Sequence, residues 1–262
     1  MQPVLYFEAA AATDPGWRFN ENQDAVLLGA QLLLGATTRS LPACEALLVA
    51  VADGLAHAPC ASRASCMVLE ELVKVAGDRI TGNAARVIQR RMTSAVAGTR
   101  CEGMASTLAA VQFTQDEVRV LSVGDTRVYL WRDQNLRQLT VDHTIANRMV
   151  REGDLTAEQA AVAGSLYEDL DSALVASGIE DVFDVFFTAL APRAGDLWLC
   201  VSDGVHGALT DSGIAEMLAT KDAAPENIVA LLVEIAKANT RLDDNLSAVA
   251  VRVMPSANAT FR

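Results

Sequence analysis

The sequence predicts an α+β fold: a central β-sandwich of two antiparallel sheets flanked by helices (α-β-β-α), with a helical flap insertion. Three observations support this fold class. Strand-like runs occur in groups, two amphipathic helices follow the first group, and further helices come just before the last strand. Helices grouped between sets of strands favour an α+β sandwich over a strict βαβ alternation. Two sheets packed face to face, with the helices outside, bury the apolar faces of both.

Short apolar runs bounded by turn residues predict the strands. In chain order these runs are 4–10, 25–29, 46–52, 108–113, 118–123, 127–131, 183–190, 197–201 and 246–253. The polar residues Gln115, Asp116 and Glu117 predict a hairpin turn between two of these strands.

Apolar residues at helical spacing predict the helices. They fall at 62–75, 84–96, 211–219 and 225–238. The segment 143–174 also has a helical pattern, but it is polar with few strong apolar anchors, which predicts a surface insertion. We assign the flap to residues 143–178, within a single domain at 1–262.

The composition indicates a globular protein, since 51% of the 262 residues are apolar and 21% are charged. The net charge of −12 argues against binding to nucleic acid or to an anionic membrane, because both need a basic face. No apolar run reaches the roughly 18 residues that cross a bilayer, and the N-terminus lacks the basic region of a signal peptide. We therefore expect a cytoplasmic protein without nucleic-acid or membrane partners.

The cysteine pattern predicts free thiols. Five cysteines are an odd number, and no two of them form a Cys-x-x-Cys pair. This spacing suits neither a zinc site nor a disulfide framework, which favours a reduced, cytoplasmic protein. Cys200 lies in an apolar strand and is expected to be a small buried hydrophobe.

Two predicted strands, far apart in the sequence, are followed by the same dipeptide. One leads into Asp53-Gly54, and the other into Asp203-Gly204. A carboxylate where a buried strand surfaces, followed by a residue that tolerates any backbone angle, suits a hard cation. The alternative is that Asp-Gly is simply a good hairpin turn.

Three further acidic motifs flank predicted strands, at Asp24, Asp125 and Asp244. Each alone is compatible with a turn or a surface salt bridge. Together, four of these aspartates at strand ends favour a bound cation, because like charges gather only where something offsets their repulsion; the four are Asp24, Asp53, Asp203 and Asp244. Carboxylates without a histidine or cysteine cluster select Mg²⁺ or Mn²⁺ over zinc. Arg18, which precedes Asp24 in the same motif, has the planar guanidinium that binds phosphate.

In combination, these motifs resemble the metal-dependent protein phosphatases of the protein phosphatase 2C type, in their bacterial form. The resemblance covers about residues 11–253. Its motifs follow the family's order: Gly16-Trp-Arg with Asn22-Gln-Asp-Ala, Val51-Ala-Asp-Gly, Met104-Ala-Ser-Thr-Leu, Val123-Gly-Asp-Thr-Arg-Val-Tyr, Leu139-Thr-Val-Asp-His, Leu199-Cys-Val-Ser-Asp-Gly and Asp244-Asn-Leu-Ser.

The resemblance implies a centre with two Mn²⁺ or Mg²⁺ ions and a third, weaker site. Asp53 would bridge the two ions, and the carbonyl of Gly54 would help to bind one of them. Asp203 and Asp244 would complete the first site. Asp125 matches the position that contributes to the third site in bacterial members.

The resemblance also implies a reaction, the hydrolysis of phosphoserine and phosphothreonine. Asp24 would serve the second ion largely through water, and Arg18 would hold the substrate phosphate. A water between two divalent ions loses its proton near neutral pH and attacks phosphorus in line. His57 is a candidate for the acid that protonates the leaving oxygen. His143 is expected to be structural, and His206 to be a turn residue.

The expected partners are a phosphoprotein substrate and an opposing serine/threonine kinase, and a monomer is expected. Two alternatives stay open. A non-catalytic phosphatase-like protein that docks a kinase or signalling partner is favoured by the altered flap and by a Leu55-Ala56-His57 loop that lacks the family's glycines. A two-metal phosphodiesterase or nucleotidase would need a base- or sugar-binding groove, and the sequence indicates none.

Overall fold

In the computed structural model of this chain, the strands come in groups separated by helices. The structure describes residues 4–17, 20–77, 79–163, 169–178, 183–220, 224–239 and 244–256. The strands are β1 (Leu5–Asp14), β2 (Asp24–Leu28), β3 (Gln31–Leu33), β4 (Thr37–Cys44), β5 (Leu47–Asp53), β6 (Ala105–Ser106), β7 (Leu108–Phe113), β8 (Val118–Val123), β9 (Arg127–Arg132), β10 (Asn135–Gln138), β11 (Leu174–Val175), β12 (Phe186–Leu190), β13 (Leu197–Val201) and β14 (Leu246–Pro255). The helices are α1 (Ala61–Ala76), α2 (Ala84–Val96), α3 (Ile145–Glu152), α4 (Ala157–Ala163), α5 (Asp203–Ala208), α6 (Asp211–Thr220) and α7 (Pro225–Ala238).

Two six-stranded sheets carry the fold. The first has the order β10-β9-β13-β14-β1-β4 and the second has the order β12-β8-β7-β5-β2-β3. The paired strands in both sheets run antiparallel. A separate two-stranded ladder joins β11 to β6. The α+β sandwich with flanking helices that the sequence predicts is therefore confirmed.

Three apolar layers hold the elements together. The inner faces of the two sheets meet in one layer, where Phe113 of the second sheet contacts Phe7 and Trp198 of the first, with ring centroids 5.2 and 5.6 Å apart. Helices α1 and α2 pack on the outer face of the second sheet, and α5 to α7 pack on the outer face of the first. Because both faces of the central strands are covered, β2 and β7 are buried at every position.

The strongly apolar elements lie where the sequence predicts them. Strands β7, β8 and β13 and helices α2 and α7 have the predicted bounds. The predicted helical stretch at 143–174 is wrong in part: helices α3 and α4 occupy 145–152 and 157–163, and the stretch ends in strand β11. The short strand follows from tertiary pairing with β6, which no local pattern encodes.

The prediction of free thiols is wrong for two of the five cysteines. Cys60 and Cys101 form a disulfide, with their Cα atoms 5.5 Å apart although 41 positions separate them. The fold brings them together because the loop before α1 lies against the turn before β6. Cys44 and Cys66 are free and half-buried, and Cys200 is buried as predicted. The spacing of the cysteines in the sequence therefore does not reveal this pair, because only the fold brings Cys60 and Cys101 together.

Removing this disulfide is expected to lower stability. In the double variant Cys60→Ser/Cys101→Ser the free energy of unfolding should fall by up to about 4 kcal/mol, because the unfolded chain regains the entropy of the opened loop. Urea unfolding of the oxidised wild type and the variant measures the difference. The variant Cys44→Ser, which changes a free cysteine, is the control. Equal midpoints for the wild type and the double variant would contradict the expectation.

In the described part of the chain, no helix has the length and apolar character that a bilayer crossing requires.

Candidate metal centre

Five aspartates meet at one end of the sandwich because of the strand registers. Asp24 begins β2 directly opposite Asp53, the last residue of β5. Asp125 lies between β8 and β9, while Asp203 follows β13 after one residue, and Asp244 precedes β14. These strand ends are neighbours in their sheets, since Val51 pairs with Ala109, Leu108 with Val123, Val201 with Arg127, and Val201 with Ala248. The two sheets thus place these carboxylates at the same end of the sandwich.

Four of these side chains line one cavity of about 780 Å³, namely those of Asp53, Asp125, Asp203 and Asp244. Gln23, Gly54 and His57 line the same cavity. Asp24 is not among the lining residues; it is 1% exposed and lies behind them. The structure therefore brings the predicted aspartates together, with four of them at the cavity surface and Asp24 buried beneath it.

The proximity of these carboxylates raises their pKa values. Burial, followed by the charges of Asp203 and Asp24, raises the pKa of Asp53 well above its usual range. Burial, followed by the charge of Asp203, raises the pKa of Asp125 to about 7. Burial also raises the pKa of Asp24 to about 7, although the hydroxyls of Ser247 and Ser202 oppose the shift. Such a group is unfavourable in its ionised form until a cation offsets the charge.

The donor set fits a hard divalent cation. Both carboxylate oxygens of Asp24 are fully buried, and neither makes a hydrogen bond of good geometry in the described structure, although the hydroxyls of Ser247 and Ser202 lie nearby. A buried unpaired carboxylate is costly, and a nearby cation or the water bound to it would satisfy these oxygens. Apart from His57, every ionisable residue that lines the cavity is an aspartate, and carboxylates suit Mg²⁺ or Mn²⁺. Within the described ranges, no group of three or more histidine, cysteine, aspartate or glutamate residues is placed closely enough to hold a metal ion as it stands.

Both glycines of the Asp-Gly pairs are required for space rather than for backbone angle. Neither has a positive φ. A Cβ on Gly54 would lie 2.2 Å from the carbonyl oxygen of Ala61, and one on Gly204 would lie 2.1 Å from that of Asn245. The hairpin-turn alternative is wrong for both pairs, since Gly54 leads into a loop before α1 and Gly204 lies within α5.

Threonine hydroxyls connect the Asp53 strand to the Asp125 loop. Thr107 accepts a hydrogen bond from the backbone N–H of Asp53 at 3.1 Å and donates its own N–H to the Asp53 carbonyl at 2.8 Å. Its hydroxyl also contacts that of Thr126 at 2.6 Å. The spacing between two predicted metal ligands is therefore fixed by buried hydrogen bonds.

Two histidines contact the backbone of the Asp125 loop. The Nδ1 atom of His143 accepts the backbone N–H of Gly124 at 3.0 Å, in line with the structural role predicted for this residue. The Nε2 atom of His206 lies 3.1 Å from the Asp125 carbonyl oxygen. His206 is in α5 rather than in a turn, so that prediction is wrong. A six-residue helix is too short to produce a periodic signal.

The flap contributes two cavity carboxylates that the sequence analysis did not identify. Asp169 and Asp171 line the cavity beside Ile145. Asp171 is paired with Arg148 at 2.9 Å, and its backbone N–H donates to the His143 carbonyl at 2.8 Å. No strand end or motif marks these residues in the sequence, because only the folding back of the flap places them at the cavity.

Comparison with known proteins identifies the family. Residues 22–249 match the Protein phosphatase 2C family. The chain belongs to this family. The serine/threonine protein phosphatase PstP of Mycobacterium tuberculosis is 30% identical over 229 residues, which is 84% of this chain and 40% of PstP. The serine/threonine phosphatase stp of Listeria monocytogenes is 31% identical over 150 residues, or 57% of each protein.

Solved structures of bacterial serine/threonine phosphatases share the fold. The serine/threonine phosphatase PstP/Ppp of Mycobacterium tuberculosis has a TM-score of 0.74 and 28% identity, covering 94% of this chain and 98% of that one. The catalytic domain of PstP, in complex with two manganese ions, has a TM-score of 0.72 and 29% identity, covering 95% and 99%. By contrast, this chain spans only 40% of the full length of the mycobacterial relative and 57% of the listerial one.

Two further residues were assigned to catalysis from the family resemblance. His57 is exposed and lines the cavity, so its position is compatible with proton transfer. Arg18 lies outside the described residues of this protein phosphatase 2C family member. The described residues nearest to it in the sequence are Trp17 and Asn20.

Proposed function

We propose that this chain is a metal-dependent phosphoprotein phosphatase that hydrolyses phosphoserine and phosphothreonine. One observation carries the proposal: aspartates from both sheets surround one cavity, and their mutual repulsion and burial call for divalent cations. Family membership and the relatives named above support it.

The proposal gives each residue of the site a task. Asp53, Asp203, Asp244 and the Gly54 carbonyl would hold two ions, Asp24 would serve the second, and Asp125 would contribute to a third. When bound there, Mn²⁺ or Mg²⁺ supplies an activated water at neutral pH and neutralises charge on the phosphoryl group.

The remaining residues act on the substrate. Arg18 binds the phosphate through its guanidinium group. His57, at the exposed wall of the cavity, donates the proton that the departing serine or threonine oxygen requires. Without cations the cavity is strongly acidic and repels phosphate, so substrate binding depends on prior metal binding.

The partners follow from the same proposal. The substrate is a phosphoprotein acted on by an opposing serine/threonine kinase, the protein is a cytoplasmic monomer, and residues 1–262 form one domain with the flap at 143–178.

The Cys60–Cys101 disulfide is unusual for a reducing compartment. Thiol alkylation and mass spectrometry of protein from its native cells determine whether that bond persists there.

The test is Mn²⁺-dependent turnover of a phosphothreonine peptide. We expect activity that EDTA abolishes and that Asp203→Asn lowers at least about 100-fold, because one ion loses a charged ligand. The control Asp133→Asn removes the same charge in the β9–β10 turn, where φ of 52° suits asparagine, and should leave turnover unchanged.

Two results would contradict the proposal. Wild-type turnover by Asp203→Asn would exclude the metal mechanism, and an inactive wild type that binds no Mn²⁺ would favour a non-catalytic binding protein. Preference for nucleotides over phosphopeptides would instead favour a phosphodiesterase or nucleotidase.

A further inference from the structure

The Cys60–Cys101 disulfide joins a loop at the cavity wall to the turn that precedes β6. Residues 55–60 form this cavity loop: 55–57 line the cavity, and Cys60 is the last residue before α1. Cys101 lies in the turn between α2 and β6. Both cysteines are half-buried, and their neighbours Pro59 and Arg100 are exposed. The bond therefore lies at the protein surface, where a thiol can reach it.

The segment that holds Cys101 also contacts the flap and the start of the cavity loop. Gly103 donates its backbone N–H to the carbonyl of Ala176 in the flap at 2.8 Å. Leu55, the first residue of the cavity loop, donates its N–H to the Ala105 carbonyl at 3.0 Å. The disulfide holds the other end of the same loop, so the loop is attached to this segment at both ends.

The backbone of Cys60 is in a conformation that cysteine rarely adopts. Its φ of 54° and ψ of 47° lie in the left-handed region. Among the described non-glycine residues, only Asp133 and Gln134 share a positive φ, and both lie in the tight turn between β9 and β10. Such a conformation is unfavourable for a residue with a Cβ and persists only where the structure enforces it. The disulfide is a constraint of this kind, so opening it would let the backbone at Cys60 relax.

The residue after Cys60 packs directly against a glycine that lines the cavity. The carbonyl oxygen of Ala61 lies so close to Gly54 that a Cβ on this glycine would come within 2.2 Å of it. Gly54 donates its N–H to the Gln23 carbonyl at 3.1 Å, and the hydroxyl of Ser65 in α1 donates to the same oxygen at 2.6 Å. A change in the backbone at Cys60 would therefore move the start of α1 relative to the cavity wall.

We propose that Cys60 and Cys101 form a reversible thiol modification site, at which a protein dithiol opens the disulfide and thereby loosens the cavity loop. A thiolate of the reductant attacks one sulfur and expels the other cysteine as a thiolate, which takes up a proton. The second thiol of the reductant then attacks the mixed disulfide, so the reductant becomes a disulfide and this chain gains two electrons and two protons. Disulfides in reducing compartments are usually transient in this way.

The oxidised protein is expected to be the more active form, and this part of the inference rests on the proposed function. In the oxidised protein the loop that carries His57 is attached at both Leu55 and Cys60, whereas after reduction the attachment at Cys60 is lost. Catalysis depends steeply on the placement of the groups around the substrate. Reduction should therefore lower turnover without unfolding the protein.

The experiment treats the folded wild type with thioredoxin, kept reduced by its reductase and NADPH, and then reoxidises it with glutathione disulfide. Alkylation and mass spectrometry give the fraction of intact disulfide. Turnover of a phosphothreonine peptide with Mn²⁺ should fall about tenfold on reduction and return on reoxidation. Amide hydrogen exchange is the readout that does not depend on activity. The N–H groups of Leu55 and Ala64, which are hydrogen-bonded to the Ala105 and Cys60 carbonyls, should exchange at least about threefold faster in the reduced protein.

Two double variants separate this bond from the other thiols. Cys60→Ser/Cys101→Ser should have the turnover of the reduced wild type, both before and after treatment with thioredoxin. Cys44→Ser/Cys66→Ser removes two half-buried free cysteines and should respond to reduction as the wild type does.

A third variant tests the role of the backbone at residue 60. Asparagine adopts the left-handed region more readily than serine does. Cys60→Asn/Cys101→Ser should therefore have a turnover between those of the oxidised wild type and Cys60→Ser/Cys101→Ser, and thioredoxin should not change it.

Three outcomes would overturn the inference while leaving the proposed function intact. These are an active wild type with equal turnover in both redox states, a disulfide that thioredoxin opens only in urea, or an asparagine variant that is no more active than the serine variant. An inactive wild type would instead contradict the proposed function, and the exchange rates alone would then decide the inference.

Discussion

Asp53→Asn is expected to abolish metal-dependent turnover, by about 1,000-fold or more, and at the same time to stabilise the metal-free protein. The carboxylate of Asp53 is repelled by the other four aspartates of the site, whose charges all raise its pKa. These are Asp203, Asp24, Asp125 and Asp244. Asparagine removes one charge from this group and, on the proposed function, one carboxylate that would hold the ions. Opposite effects on stability and activity distinguish a functional residue from a structural one.

The pH dependence of the stability of the metal-free protein shows whether charge on these aspartates stabilises or destabilises the fold. Asp24 and Asp125 each have a pKa of about 7 in the fold, against about 3.9 in the unfolded chain. The folded state therefore binds more protons between these values, so the contribution of these two groups to stability is fully present below about pH 4 and is lost as the pH rises to about 7. Mn²⁺ should remove the loss above pH 6, and Asp53→Asn should make it smaller.

Thermal unfolding at pH 5, 6, 7 and 8, with EDTA and with Mn²⁺, measures these changes alongside turnover. Asp133→Asn again serves as the matched charge removal outside the cavity. A melting temperature in EDTA that is independent of pH, or a less stable Asp53→Asn protein in EDTA, would contradict the explanation.

Gly54→Ala is expected to have the second largest effect. The added methyl group would lie 2.2 Å from the carbonyl oxygen of Ala61 and 2.9 Å from that of Gln23, both of which are backbone atoms. Helix α1 must then move away from β5, which should lower the free energy of unfolding by about 3 kcal/mol and displace Asp53. Urea unfolding and Mn²⁺ titration measure the two consequences.

A glycine in helix α6 is the matched control. A Cβ on Gly213 would meet only Oγ1 of Thr210, at 3.5 Å, which is an ordinary contact. Gly213→Ala should therefore retain activity and raise stability by up to about 1 kcal/mol, because alanine is the better helix former. If Gly54→Ala were as stable as the wild type, the close approach of α1 to the metal-site loop would not matter.

The sequence predicted the buried elements better than the exposed ones. Strand β7 is buried at all six positions, and its apolar run defined its bounds. Strand β4 was missed because it is an edge strand, largely exposed and interrupted by Pro42, so it has no apolar pattern. Burial leaves a signal in the sequence, whereas pairing at an edge does not.

The site was predictable where chemistry and strand ends coincide. Asp53 and Asp203 were identified because each follows a buried strand, but the reason for the adjacent glycines was wrong: the limiting factor is space, not backbone angle. Asp169, Asp171 and the Cys60–Cys101 pair were missed because contacts distant in sequence create them. Local sequence patterns therefore find the carboxylates that strand ends position and miss those that the flap places at the cavity.

Calorimetric titration of the metal-free protein with Mn²⁺ tests the central claim most directly. Two or more ions per chain should bind to the wild type, and Asp53→Asn should lose that binding while Asp133→Asn retains it. A wild-type protein that takes up no Mn²⁺, or an Asp53→Asn variant that binds as the wild type does, would contradict the assignment of this cavity as a metal centre.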